Sequence, residues 1–329
     1  MSRTVWVIAG TTAILLLFGL VNANGDLGSF GITVMSGLFR AMLLFLVAAG
    51  LSIVFGLMDV LNFAQGTIFM IGAYVAYAVH HSDAVISIIP DPNIRFLLSV
   101  IAAVLVGAGL GGGLERGLLR PLYARPIFQI VLTFGVAIVL GEAVKFIWST
   151  TPYSWTGMFS FREGFFMLFD QRFSTYRLFV IGMGIALIIG IGLLLQRTRI
   201  GIIIRAGVED SAMVEALGTN VRAVFTLVFT LGCAVAAFGG AIAAPFLGAN
   251  PALANQFLLA AIAVVVLGGL GSYGGTAIAS VLVGLAVSVI EDFVSSPGIN
   301  APVWASITPM LLLVLILLIR PSGLFGKEH

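Results

Sequence analysis

Charge is what this chain has least of. Only 9% of its 329 residues are Asp, Glu, Lys or Arg, against 60% hydrophobic ones, and its mean hydropathy is +1.15. Soluble domains carry about 25% charged residues and 45–50% apolar ones. Water is therefore excluded as the solvent of most of the surface, and the bilayer takes its place. Cysteine is almost absent. Cys233 stands alone in an apolar run, which excludes an intrachain disulfide and suits a small core residue. A net charge of +2 with no basic run argues against a nucleic-acid partner. No glycine-rich phosphate loop ending in Lys-Ser/Thr occurs. No Ser-His-Asp or paired-carboxylate constellation stands out, so no catalytic residues are identified and an enzyme reading has little support.

What the chain does have is long apolar runs. Crossing about 30 Å of hydrocarbon takes roughly 20 residues of helix. Ten stretches qualify: about 4–21, 33–56, 60–80, 95–115, 127–148, 177–196, 222–243, 256–270, 274–292 and 302–320. The eighth is short and glycine-ended, as a broken or re-entrant segment would be, and the polar residues of "MDVLNFAQG" blur the start of the third. The forty glycines suit close helix packing in lipid. The expected fold is an all-α polytopic membrane protein of about ten transmembrane helices, with residues 1–329 forming a single permease-like membrane domain. The excursion 149–176 reads as an ordered external loop at most.

Both termini are expected in the cytoplasm. That orientation puts Arg3, Arg116, Arg120, Arg125, Arg197, Arg199, Arg205, Arg222, Arg320 and Lys327 inside, ten of the sixteen Lys and Arg residues. The outer side collects Asp26, Asp83, Asp91, Glu163, Asp170, Glu291 and Asp292. The first run also has a second reading as a signal peptide, with Val21 and Ala23 at the cleavage positions. A retained helix is the expectation, and either case leaves the remaining topology unchanged.

Residues 197–221 then form a cytoplasmic loop. Within it, 210–217 suits a short helix: Asp210 as N-cap, Glu209 adding charge favourable to a helix N-terminus, and Gly218 at C′. Two turns are too few to be stable alone, so the helix packs on its own bundle or docks into a partner. Ala212, Met213, Ala216 and Leu217 form no clean stripe, and amphipathicity does not decide between the two.

Four ordered stretches carry a family resemblance. "EDSAMVEALGTN" (209–220) resembles the cytoplasmic coupling segment of ABC importer permeases of the branched-chain (hydrophobic) amino acid type. Glu209, Asp210, Met213, Leu217, Gly218 and Asn220 match that pattern, and the more general Glu-Ala-Ala…Gly motif is loosely present as Glu215-Ala216-Leu217-Gly218. "GLMDVLNFAQGTIFMIGAY" (56–74) resembles the family's Asn-Phe-Ala-His-Gly segment, with Gln65 in place of His, a departure that argues against a proton role there. "VVVLGGLGSYGGTAIASVLVG" (264–284) and "LILLIRPSGLFG" (315–326) resemble its glycine turn and its Arg-Pro-x-Gly-Leu-Phe-Gly ending. One glycine turn would be weak, whereas four motifs in order are specific.

The resemblance implies a multi-pass subunit of a bacterial inner membrane. It implies a translocation path for a branched-chain or other hydrophobic amino acid delivered by an external solute-binding protein. The implied partners are two ABC ATPase subunits, which hold the ATP and Mg, and a second permease subunit, identical or paralogous. This chain would bind no cofactor. The rival reading is an ion-gradient-driven carrier or channel needing no ATPase. Such carriers place ionisable groups near the bilayer midplane, and stretches such as "TLGCAVAAFGGAIAA" carry none.

Other polar residues have two readings each. Asn62, Gln65 and Gly66 would line the path, or serve an interfacial turn and close packing. Arg40 would meet a substrate carboxylate, snorkel outward or pair with an external acid. Glu142 and Lys145 share a helix face and read as a local ion pair. "GGLGSYGG" (268–275) reads as a tight turn rather than a phosphate cradle. His80, His81 and Asp83 read as interfacial residues, with no metal site expected.

Overall fold

A computed structural model describes residues 3–23, 26–123, 125–156, 164–168, 171–209, 211–216, 218, 220–294 and 301–326. Helices form at all ten apolar runs. In chain order the helices are α1 (Arg3–Asn22), α2 (Leu27–Met58), α3 (Gln65–His81), α4 (Asp83–Ile88), α5 (Pro92–Leu114), α6 (Pro126–Trp148) and α7 (Thr175–Arg197). They continue as α8 (Arg199–Glu209), α9 (Ser211–Ala216), α10 (Val221–Leu247), α11 (Leu253–Gly268), α12 (Tyr273–Val294) and α13 (Ala301–Ile319). Six helical stretches among the described residues are long and apolar enough to cross a membrane: those beginning at Leu27, Pro92, Pro126, Thr175, Val221 and Tyr273. Shorter apolar helices cover Ile8–Asn22, Leu253–Gly268 and Val303–Ile319. The architecture is that of an all-α polytopic membrane protein. Side chains such as Phe146, 92% exposed on α6, suit lipid or a partner better than water.

Four features depart from the sequence expectation. The third apolar run becomes helical only at Gln65, because Asn62 Oδ1 accepts the Ala64 N–H at 3.1 Å and holds the preceding residues in a turn. The excursion 149–176 contains an antiparallel hairpin, β1 (Phe165–Leu168) with β2 (Gln171–Ser174), pairing Phe165 with Ser174 and Leu168 with Gln171. A short helix, α4, follows α3. The loop between α7 and α10 holds two helices rather than one, the eleven-residue α8 and the six-residue α9.

The chain forms two compact units. The first takes residues 1–45, 160–186 and 260–329. There α12 packs against α1 and α13. The glycine turn after α11 is bonded to the end of the chain: Leu324 N–H donates to the Leu267 carbonyl at 2.9 Å and Phe325 N–H to Gly268 at 3.1 Å. Gly269 and Gly323 meet there with φ of +98° and +75°, a left-handed backbone that glycine adopts without strain.

The second unit takes residues 46–159 and 187–259. Its core is α3, α5 and α10 in mutual contact. The helices approach so closely that a Cβ on Gly72 would fall 2.1 Å from the Ala237 carbonyl oxygen, and one on Gly240 would fall 1.9 Å from that of Phe69. Small residues at such seams let backbones touch where no hydrophobic effect operates between helices.

Candidate functional site

The polar segment 197–221 lies in the second unit. α8 starts after Thr198, whose hydroxyl accepts the Gly201 N–H at 3.1 Å. The helix buries Ile204 and leaves Ile202 57% exposed. α9 packs against α8 and α10. It is anchored by Val214, which is buried, while Met213 is 63% exposed and Glu215 is exposed. Gly218 has φ +84°, and its N–H reaches back to the Glu215 carbonyl at 2.9 Å. Asn220 then caps α10 by accepting the Ala223 N–H at 3.1 Å. Glu209 is the last residue of α8 rather than part of a first turn. Asp210 and Leu217 lie outside the described residues, as do the side chains of Glu209 and Ala216. Met213, Glu215 and Gly218 thus form an exposed tip carried on the start of α10.

Asn62 makes the turn that leads into α3 at Gln65, and the turn is packed inside the second unit. Asn62 and Gln65 are fully enclosed, at 1% and 0% exposure. Asn62 Nδ2 donates to Gln65 Oε1 at 3.1 Å, and Gln65 Nε2 donates to the Gly232 carbonyl of α10 at 2.9 Å. Gln65 sits in a notch made by glycine: a Cβ on Gly50 would fall 2.1 Å from its Nε2. Gly66 presses on the Ala254 carbonyl in the same way. A small apolar cleft beside this node is lined by Asn62, Thr133, Leu119 and Phe229.

Sequence reasoning passed over a second buried polar cluster. α5 runs into one π-helical turn, Glu115–Leu119, followed by a 3-10 turn, Arg120–Leu122. Such turns inside α-helices recur at functional sites. Glu115 is completely buried. One of its oxygens accepts Arg120 Nε at 3.2 Å and the Tyr123 hydroxyl, and the other, Oε2, has no hydrogen-bond partner among the described residues. Arg120 also donates to Thr226 Oγ1 on α10 at 2.8 Å. Burial first, and then the bond to Glu115, pushes the Tyr123 phenol far above its usual range, so it remains a donor. The only sequence signal was an acid followed five residues later by Arg-Pro at the end of an apolar run.

Arg40 lies in the first unit and is paired with Glu291 on α12. Glu142 and Lys145 form a local pair at 2.6 Å on exposed positions of α6. His80 and His81 stack into an aromatic cluster with Tyr77 and Trp155. No group of three His, Cys, Asp or Glu suited to a metal occurs among the described residues.

Similarity to known proteins covers most of the chain. The profile of a family described as "branched-chain amino acid transport system / permease component" matches residues 33–318. The high-affinity branched-chain amino acid transport system permease protein LivH of Salmonella typhimurium is 26% identical over 291 residues, covering 86% of this chain and 91% of its own. BraD of Pseudomonas aeruginosa, of the same description, is 27% identical over 290 residues, with 86% and 92% coverage. A probable branched-chain amino acid transport permease, LivH of Methanocaldococcus jannaschii, is 25% identical over 297 residues, with 87% and 89% coverage. A solved structure, PsaBC from Streptococcus pneumoniae in complex with Fab, aligns over 92% of this chain and 96% of its own. Its TM-score of 0.47 and 13% identity are too loose to assign a shared fold.

Proposed function

This chain belongs to the family of branched-chain amino acid transport permease components, and from that premise we propose that it is the membrane subunit of an ATP-driven importer of branched-chain or related hydrophobic amino acids. The observation that carries the reading is the family match, continuous from residue 33 to 318 and including the polar segment 209–220. ATP and Mg belong to two separate ABC ATPase subunits. An external binding protein delivers the solute, and a second permease subunit, identical or paralogous, completes the path.

In this reading the chain crosses a bacterial inner membrane ten times with both termini inside. The distribution of Lys and Arg supports that orientation. The tip formed by Met213, Glu215 and Gly218, flanked by Glu209, Asp210, Ala216, Leu217 and Asn220, meets the ATPase. α10 carries the motion inward because its N-cap, Asn220, follows the tip directly. Asn62, Gln65, Gly66 and Arg40 border the path.

Purification of the tagged chain from its native membrane tests the ATPase contact. A nucleotide-hydrolysing subunit is expected to co-purify with wild type and to be lost from a Glu215→Arg, Gly218→Pro double variant. Proline fixes φ near −65° and does not reach the +84° of Gly218. Well-folded wild type that brings no ATPase would sink the importer reading in favour of gradient-driven transport by the chain alone.

A further inference from the structure

The first unit holds a set of charges that the family assignment does not use. Thr33, Ser36 and Arg40 follow one another on one face of α2, at the three- and four-residue spacing of neighbouring turns. That face meets α12 closely. Ser288 Oγ donates to the Thr33 carbonyl at 2.7 Å, and a Cβ on Gly284 would fall 2.4 Å from Ala41 N. The seam ends in two acids, and each is held differently. Asp292 accepts neutral donors, Asn22 Nδ2 and Thr33 Oγ1, both at 3.2 Å. Glu291 takes the Arg40 guanidinium directly.

A second guanidinium stands nearby. Arg177, at the start of α7, lies over the faces of Phe39 at 5.5 Å and Phe173 at 5.6 Å, and reaches Ser36 Oγ at 3.4 Å. Ser36 and Arg40 are one turn apart on α2, so the two guanidiniums address the same helix face. The Arg40 and Glu291 side chains are 38% and 27% exposed, so this chain does not enclose the pair.

We propose that Arg40, Arg177 and Glu291 form a receiving site for the zwitterionic head of an α-amino acid, a deepening that rests on the importer reading. The α-carboxylate would lie between the two guanidiniums, whose mutual repulsion it relieves, with Arg40 offering a planar fork for two parallel bonds. The α-ammonium would take the place of Arg40 on Glu291. Counting Asp292, the neighbouring acid held by Asn22 and Thr33, the cluster has two cations and two anions and is neutral, and a zwitterion keeps it neutral. A bare organic acid or amine leaves one charge uncompensated in a poorly solvated place, which is costly. The direct Arg40–Glu291 bond is then the resting form, exchanged for two bonds to the solute.

A charge swap separates this site from a purely structural ion pair. The complex, with its ATPase and binding proteins, is reconstituted in vesicles, and ATP-dependent uptake of labelled leucine is followed beside thermal unfolding. The variants are Arg40→Glu, Glu291→Arg and the two combined. Each single variant is expected to lower both readings. The combined variant restores an ion pair, so it should recover the unfolding temperature. Uptake should stay down by at least about tenfold, the size of one lost charged hydrogen bond, because the charges now face the zwitterion reversed. Arg177→Gln gives up its contacts with Phe39 and Phe173, so it should lower the unfolding temperature slightly and lose uptake to a similar extent. Recovery of uptake in the swapped variant, or full uptake by Arg177→Gln, would overturn the site while leaving the importer reading intact. Absence of ATP-dependent uptake in wild type would instead overturn the importer reading itself.

Discussion

Gln65 illustrates how much a single neutral amide can hold in this chain. It is buried completely, yet each polar end has a partner: its Oε1 accepts from Asn62 and its Nε2 donates to the Gly232 carbonyl. Substituting leucine keeps the volume but removes both bonds and leaves the buried Asn62 amide only the weak Cys233 sulfur at 3.8 Å. A loss of about 1–3 kcal/mol is expected, the cost of a stranded buried polar group. Thermal unfolding of the detergent-solubilised protein checks it, and an unchanged midpoint for Gln65→Leu would contradict the geometry. Glu115 is the more exposed to damage because it is ionisable. Removing its partner in Arg120→Met should cost about 3 kcal/mol, the low end of the range for a broken buried pair because Arg120 is one-third exposed. Adding Glu115→Gln to that variant removes the stranded charge and should return part of the loss. If the double variant unfolds no later than Arg120→Met, the Glu115 carboxylate is not what the arginine stabilises.

At the scale of elements, the connection from the exposed tip to the bundle runs through α10. Gly218 turns the chain with φ +84°, Asn220 caps the helix, and Thr226 lies six residues further on, about 9 Å along the axis, where Arg120 holds it to the end of α5. Gly218→Ala forces a left-handed backbone on an L-residue at a cost of about 1–2 kcal/mol. Because the surroundings of Gly218 are open, that strain should lower ATPase co-purification several-fold while moving the unfolding of the bundle little. An equal loss of both would mean that the turn belongs to the core. The sequence announced this turn, since an acid pair, a short helix and a glycine are local signals. It did not announce α8, whose residues read only as part of the loop 197–221. It also hid the Glu115 cluster, because Arg120 and Thr226 are joined only by folding. Asn62 and Gln65 were visible as polar residues at a span boundary. Their burial was not, because it depends on Gly50 of α2 and Gly232 of α10, which only folding brings to them.

At the scale of the whole molecule, composition determined the solvent and periodic apolar runs located the helices. Side assignment is a separate matter that rests on the loops alone. It can be tested directly because the chain has one cysteine, Cys233, buried completely and donated to by the Asn62 amide at 3.8 Å. Wild type should therefore resist a membrane-impermeant maleimide in intact cells and in opened membranes alike. The proposed topology places Thr151, exposed just after α6, outside, and Glu215, exposed on α9, in the cytoplasm. Thr151→Cys should react in intact cells, and Glu215→Cys only after the membrane is opened. The reverse pattern would invert the chain, move Glu215 and Gly218 away from any cytoplasmic ATPase, and remove the physical basis of the coupling assignment. Reaction of both in intact cells would place the two loops on one side and require an odd number of crossings fewer or more between residues 151 and 215. The charge distribution argues against either result: Arg197, Arg199 and Arg222 flank the α8–α9 loop closely, and such residues near span ends stay on the inner side.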